Sequence, residues 1–574
     1  MINLKECFAS QSIRKANMSK RILILLTAIL FSMVALSDTN LTVLKNSISP
    51  KLPKAILLNH ADPDQKLNIL VWLKGQNQTG LQQLLTNLYT PGNSQYHKFI
   101  TPEQFKANYA PAMVNITAVA NYLTEQGLNV VKLPSNGEFI QVSATVTQVE
   151  AAFNVHINQY NLNGKEYYSN DQVVTLNNDI ATMVSAISGL DNFEQLHHTQ
   201  TKASNLGSGQ MNPGEYTPQQ VQSAYGVDQL LSKGINGSGQ VVAVVSVHDY
   251  PNVEPELNTY STQFHLPLCT SANGCFAKYN QYGEASPLPA AGTDPDCEAC
   301  IDTRMIHMLA TEANIHLYEM GDFSLANIAI ALNTIVSGNS ANIISLSLAF
   351  GNDIADSPLE FIFKQGAAEG VSIDFASGDY ADDVDNTYAN NSPIPSVVYP
   401  ASSPWVTAVG GNVLLLTSYN GYKSETGWAD PYIPLEGSTG GLSQYYTAQP
   451  WQTEAIGLLN AGGYGLVGTH RAVPDISIGT LWSATSASCP LFSAIVALAN
   501  QERTAQGLSS IGLVTSLLYD MPYNVHQGIA PITNIVAPAE TSVSVLTGGT
   551  HWNDISGLGS PYAPLFVKYL VDSH

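Results

Sequence analysis

Two kinds of spacing divide the chain. Between Asp38 and about Leu190, apolar residues recur at helical intervals in Thr79 to Leu88 and Ile116 to Gln126, whereas Leu67 to Leu73 and Glu138 to Ala144 have the pattern of strands. That mixture predicts an α+β domain with no catalytic constellation of its own. The stretch His197 to Gly214, HHTQTKASNLGSGQMNPG, is polar and glycine-containing, which predicts an exposed linker. Beyond it, Gln240 to Val247, Ile343 to Leu348, Val371 to Ala376 and Trp405 to Val409 are short, continuously apolar runs, separated by helical stretches such as Leu325 to Val336 and Pro358 to Ala368. Continuous apolar strands alternating with helices predict a mostly parallel sheet covered by helices on both faces. Reactive groups in such a fold gather at the carboxyl ends of the strands.

The last strong apolar run, Leu491 to Ala499, predicts a buried helix entered through Pro490 from a hydroxyl-rich turn, Ser483-Ala484-Thr485-Ser486-Ala487-Ser488. A serine at a helix N-terminus sits beside backbone N–H groups without helical acceptors and the positive end of the helix dipole. Both favour a developing negative charge, so Ser486 is a candidate acyl-transfer nucleophile; a plain capping role for Ser486 or Ser488 is the simpler alternative. Two acidic stretches can serve it. In Thr293 to Glu312, Thr293 or Asp294 is positioned to cap and Pro295 to occupy the first turn of a helix on which Glu298 and Asp302, four apart, share a face. In Val371 to Asp383, Asp379 follows Ser377-Gly378 at the carboxyl end of a strand.

The N-terminus and the charge narrow the setting. Lys20 and Arg21 precede the apolar run Ile22 to Leu36, which ends in the small-x-small triplet Ala35-Leu36-Ser37, the form of an export signal over residues 1–37. Secretion is expected, with no membrane anchorage after signal removal. Met211 to His574 carries eight Lys/Arg and thirty-two Asp/Glu, a balance that excludes a nucleic-acid partner at neutral pH and suits an acidic medium. Among the cysteines of the exported chain, short separations suggest Cys269 with Cys275 and Cys297 with Cys300, leaving Cys489; zinc at Cys297-x-x-Cys300 lacks a second Cys/His pair at the needed spacing.

In order and context these segments resemble the sedolisin family of serine-carboxyl peptidases. The resemblance runs through YTPGNSQYHKFITPEQF (Tyr89 to Phe105), VSAISGLDNF (Val184 to Phe193), YTPQQVQSAYGV and GINGSGQVVAVV within Tyr216 to Pro267, YPASSPWVTAVGG (Tyr399 to Gly411) and GGLSQYYTAQPWQ (Gly440 to Gln452). The family's Glu-x-x-x-Asp falls on Glu298 and Asp302, its Ser-Gly-Asp on Asp379 and its Thr-Ser-Ala-Ser on Ser486, with Ala484 where the motif commonly has glycine. What this implies is a subtilisin-like α/β catalytic domain (215–574) behind a signal peptide (1–37), an activation prodomain (38–195) that inhibits in the same chain, and a linker with the processing site (196–214). The expected activity is that of an acid-active endopeptidase on polypeptides, made as a monomeric zymogen.

The resemblance also implies a calcium site. Its first and second aspartates fall on Asn534 and Asn553, with backbone carbonyls of Ile535, Gly549 and His551 to complete a cage. Two amides in place of two carboxylates remove charge, so tight calcium binding is not expected. Three other readings share much of this ground: an inactive secreted binding relative, a tripeptidyl aminopeptidase, and an ordinary subtilase. The last needs an Asp after the first catalytic-domain strand, for which Asp249 is placed, and a His-Gly-Thr turn, which His307 lacks.

Overall fold

The computed structural model describes residues 41–198, 216–292, 297–381, 396–428, 436–453, 469–481, 484–524, 532–533 and 552–573. The export signal and most of the linker lie outside these.

In the N-terminal part, strand Lys66–Leu73 is central in an antiparallel sheet ordered Asn129–Lys132, Phe139–Thr145, Lys66–Leu73, Val184–Ser188. Its period of two sends side chains to opposite faces. Leu67, Ile69, Val71 and Leu73 join Ile116, Val119 and Phe153 in a core of the N-terminal domain's own. Leu70 and Trp72, on the other face, are buried in a cluster with Ile328, Leu332 and Phe363 of the C-terminal domain. The domains therefore meet through continuous apolar packing, supplemented by Tyr89 Oη donating to the Ala367 carbonyl at 2.7 Å and Asn136 Nδ2 donating to Asn333 Oδ1 at 2.7 Å.

Between the domains runs a short strand, β1 (Leu196–His198). The elements that build the C-terminal domain are β2 (Val241–Val247), β3 (Phe276–Asn280), α1 (Glu298–Leu309), β4 (Asn314–Met320), α2 (Leu325–Ser337), β5 (Ile343–Leu346), β6 (Leu348–Phe350), α3 (Leu359–Glu369), β7 (Ser372–Ala376), β8 (Thr407–Leu416), β9 (Tyr422–Gly427), β10 (Ile476–Thr480) and α4 (Thr485–Ala505). The large sheet runs β3-β4-β2-β5-β7-β8-β9, with β10 also paired to β8; every pairing is parallel except the antiparallel β9. Helices α1 and α4 lie in one apolar cluster, and α2 and α3 in another that includes the opposite side chains of the same strands. The mixed α/β fold with a parallel sheet expected from the apolar runs is the one observed.

Three boundaries differ from the periodicity. Helix α1 starts at Glu298, after Cys297 at φ 45°, whereas the proposed cap and first turn, Thr293 to Pro295, lie outside the described residues. Helix α4 starts at Thr485, five residues before Pro490, which is accommodated inside it. The first residues of the expected linker are not a free loop: Leu196–His198 forms antiparallel ladder pairs with Leu348–Phe350, a main-chain interaction that three residues of almost any type can make.

Candidate active site

The turn after β7 is fixed by glycine. Gly378 has φ +106°, and a Cβ there would lie 2.9 Å from Thr439 Oγ1 and 3.0 Å from Val398 Cγ2, so both conformation and space demand the missing side chain. The turn directs the fully buried Asp379 toward the start of α4. Asp379 Oδ1 accepts from the Thr485 N–H at 2.9 Å and from the Thr485 hydroxyl at 2.6 Å, while Oδ2 has no hydrogen-bond partner among the described residues. Burial pushes this carboxyl up to about 8, with the two Thr485 donors pulling against the rise and Glu436 adding to it. Asp379 is thereby a protonated acid over the whole acidic range, with one oxygen already engaged.

On α1, Glu298 and Asp302 are 1% and 0% exposed. Burial pushes Asp302 up to about 8, opposed by hydrogen bonds from Ser347 and Glu298. Two carboxyl groups can hydrogen-bond only through a shared proton, so the pair titrates as a unit. Asp302 Oδ1 also lies 2.7 Å from the Ser347 hydroxyl.

Ser486 is the second residue of α4 and 1% exposed. Ala484 precedes the helix at φ −61°, ψ 158°, an extended conformation open to any L-residue, so alanine in the place of glycine is accommodated without strain. The Ser347 hydroxyl lies 3.1 Å from the Ser486 carbonyl oxygen. Three distant segments are thus joined around one helical turn: Asp302 reaches the serine's main chain through Ser347, and Asp379 binds the residue next to the serine.

Ser347 and Thr485 are the participants that sequence reasoning missed. The available signal was the pair of hydroxyls in the otherwise apolar run Ile343-Ile344-Ser345-Leu346-Ser347-Leu348, where a buried polar group needs a partner.

The rival chemistries fare differently. Asp249 is held by Lys278 at 2.8 Å, and His307 Nε2 lies 2.7 Å from the Pro267 carbonyl while its Nδ1 has no hydrogen-bond partner among the described residues, so the two do not form a dyad. Cys297 with Cys300 and Cys269 with Cys275 are disulfides. The described His/Cys/carboxylate grouping close enough to hold an ion, Cys269, Cys275 and His307, therefore offers no thiolates. Of the calcium candidates, Asn534, Ile535, Gly549 and His551 lie outside the described residues. Asn553 does not fit as a ligand: its Oδ1 already accepts from the N–H groups of Ile555 at 3.1 Å and Ser556 at 2.9 Å, a pocket of donors that repels a cation. Cys489 is buried, and burial raises its thiol far above the ordinary value, which makes it a poor nucleophile.

Comparison with known proteins follows the same division of the chain. Residues 53–193 match the model of the pro-kumamolisin activation domain, and residues 289–511 match that of the subtilase family. The chain belongs to the sedolisin family of serine-carboxyl peptidases. It is 28% identical to sedolisin of Pseudomonas sp. (strain 101) over 435 residues, which cover 71% of this chain and 69% of that protein. Kumamolisin of Bacillus sp. (strain MN-32) is 24% identical over 92% of this chain and 96% of its own, and tripeptidyl-peptidase 1 of Mus musculus 22% identical over 91% and 94%. The solved structure of Pseudomonas sedolisin complexed with two molecules of pseudo-iodotyrostatin superposes with a TM-score of 0.51 at 22% identity, covering 63% of this chain and 99% of that one. This sedolisin-family protein is a peptide hydrolase of the zymogen type, with an N-terminal activation domain that acts within the same chain.

Proposed function

We propose that the protein is a secreted, acid-active endopeptidase in which Ser486 is the nucleophile, Glu298 the general base, Asp302 its partner and Asp379 an oxyanion donor. The Ser486 hydroxyl attacks the scissile carbonyl, Glu298 takes its proton and returns it to the leaving amine, and Asp302 shares the proton of the pair. The Asp379 carboxyl and the Ser486 N–H bind the oxyanion. A carboxylate base works in acid, where a histidine would be protonated. The observation that carries this reading is the first turn of α4 lying between two buried acids, with Asp379 on Thr485 and Asp302 linked through Ser347 to the Ser486 carbonyl.

The domain limits proposed are 1–37 for the signal, 38–195 for the prodomain, 196–214 for the linker and 215–574 for the catalytic domain. Pairing of Leu196–His198 with Leu348–Phe350 supports inhibition by a strand that takes the place of a peptide substrate. Protonation would loosen the prodomain, and cleavage would follow in the linker.

The test is peptide hydrolysis by acid-treated full-length protein at about pH 4, near the ordinary carboxylate range. Ser486→Ala and Glu298→Ala are expected to lose at least about a hundredfold in kcat/KM, the scale of removing one transition-state interaction; near wild-type turnover in either variant removes that role. Product analysis on a peptide library separates internal cleavage from release of tripeptides, the second reading that the tripeptidyl-peptidase relatives favour.

A further inference from the structure

Helix α4 contains a defect at a chemically sensitive place. In an α-helix the N–H of residue i+4 binds the carbonyl of residue i, and the residue four beyond Ser486 is Pro490, which has no N–H. The carbonyl of Ser486 is buried at that point and needs another donor. Ser347 lies at the carboxyl end of β5, and its hydroxyl is 3.1 Å from this oxygen and 2.7 Å from Asp302 Oδ1.

We propose that Ser347 is a positioning residue for the peptidase reaction, a hydroxyl that ties Asp302 to the main chain of Ser486 and turns between them as the acid pair gains and loses its proton. The inference rests on the assignment of Ser486, Glu298 and Asp302 above. One hydroxyl hydrogen can serve only one of the two acceptors at a time. With Asp302 ionised, that hydrogen points at Oδ1 and stabilises the negative charge. With Asp302 protonated, the carboxyl O–H donates to Ser347 Oγ and the serine hydrogen turns to the Ser486 carbonyl. The protonation state of the pair is thus felt at the backbone that carries the nucleophile. Within this contact set, Glu298 on the same helix and the Cys489 thiol from α4 are the other titratable groups that act on Asp302, and burial keeps the thiol protonated.

Ser347 is also the residue before β6, the strand that β1 pairs with. A peptide lying on β6 therefore docks next to the hydroxyl that steadies the acid pair. The arrangement predicts an effect on the chemical step more than on binding.

The experiment compares Ser347→Ala, Ser347→Cys and Ser347→Thr in acid-activated full-length protein, reading kcat, KM and the pH profile of kcat/KM, with Ser486→Ala beside them. Loss of the hydroxyl in Ser347→Ala is expected to lower kcat about tenfold or more with KM little changed. It also shifts the acid limb of the profile upward by about one pH unit, because a hydrogen bond to a charged carboxylate is lost. Ser347→Thr keeps the hydroxyl and is expected to restore the profile, and Ser347→Cys, close in shape but a weak donor, is expected to reproduce the defect should the alanine variant not fold. If Ser347→Ala, or Ser347→Cys in its place, has the wild-type kcat and acid limb while Ser486→Ala is dead, the role of Ser347 is overturned and the active site stands. An active Ser486→Ala overturns the active-site assignment itself.

Discussion

At the scale of single residues, Asp379 makes the sharpest demand on protonation. Its Oδ1 is spoken for by Thr485, and the other oxygen can donate to an oxyanion only while the carboxyl keeps its proton, which burial favours up to about 8. Asp379→Asn keeps the shape, lets the amide oxygen accept from Thr485 and leaves the NH2 as a donor that does not titrate. This variant is expected to retain measurable peptidase activity and to lose an alkaline limb near 8, whereas Asp379→Ala loses about a hundredfold or more across the range. Rate profiles from acid to mildly alkaline pH check this, and an unchanged alkaline limb in Asp379→Asn assigns the limb to another group. The sequence made Asp379, Glu298, Asp302 and Ser486 legible because motif order and strand ends point to them. It did not make Thr485 or Ser347 legible, since each acts through one hydroxyl whose partner is set by packing between segments more than a hundred residues apart.

At the scale of elements, the apolar runs were readable almost residue for residue where the strands are buried on both faces, as with Val241–Val247 and Ser372–Ala376. Ends were less readable, because they depend on caps and crosslinks. Helix α1 starts at Glu298 behind Cys297, whose backbone is left-handed and whose sulfur is bonded to Cys300. The crosslink closes only the first turn, so it constrains the unfolded chain little, yet it holds the residue next to the proposed base. Replacing Cys297 and Cys300 together by serine is therefore expected to lower kcat severalfold while the melting temperature falls by only a few degrees, of the order produced by about 1 kcal/mol. Calorimetry with parallel kinetics checks the ratio, and a large loss of stability with normal kcat would show that the crosslink supports the fold instead.

At the scale of the whole molecule, the acids and histidines buried in both domains set how stability depends on pH. Burial raises Asp302, Asp379 and Glu369 to about 8 and Asp374, Glu319 and Glu360 to about 7, against ordinary values of 3.8 for Asp and 4.5 for Glu. Between about 4.5 and 8 the folded protein therefore holds protons that the unfolded chain has released, so stability falls as pH rises. His97 and His197 oppose this in part: burial lowers them to about 3 and 4 from an ordinary 6.5, and they cost stability only as pH falls below 6.5. Both lie where the N-terminal segment meets the peptidase domain, His97 with its carbonyl accepting from Ser509 and His197 in the ladder with β6. In the window from 6.5 to 8 only the carboxyls act, so the apparent melting temperature of the full-length zymogen is expected to drop steadily across it. Below about 3.8 the carboxyl contribution stops growing, while in the folded protein His97, and in part His197, still lack the protons that the unfolded chain holds, so the curve turns down there, first at the contacts that hold the prodomain. Scanning calorimetry of the Ser486→Ala zymogen, which cannot process itself, reads both slopes, and a melting temperature that is flat or rising between 6.5 and 8 would mean that these acids are solvated and ionised in the folded protein.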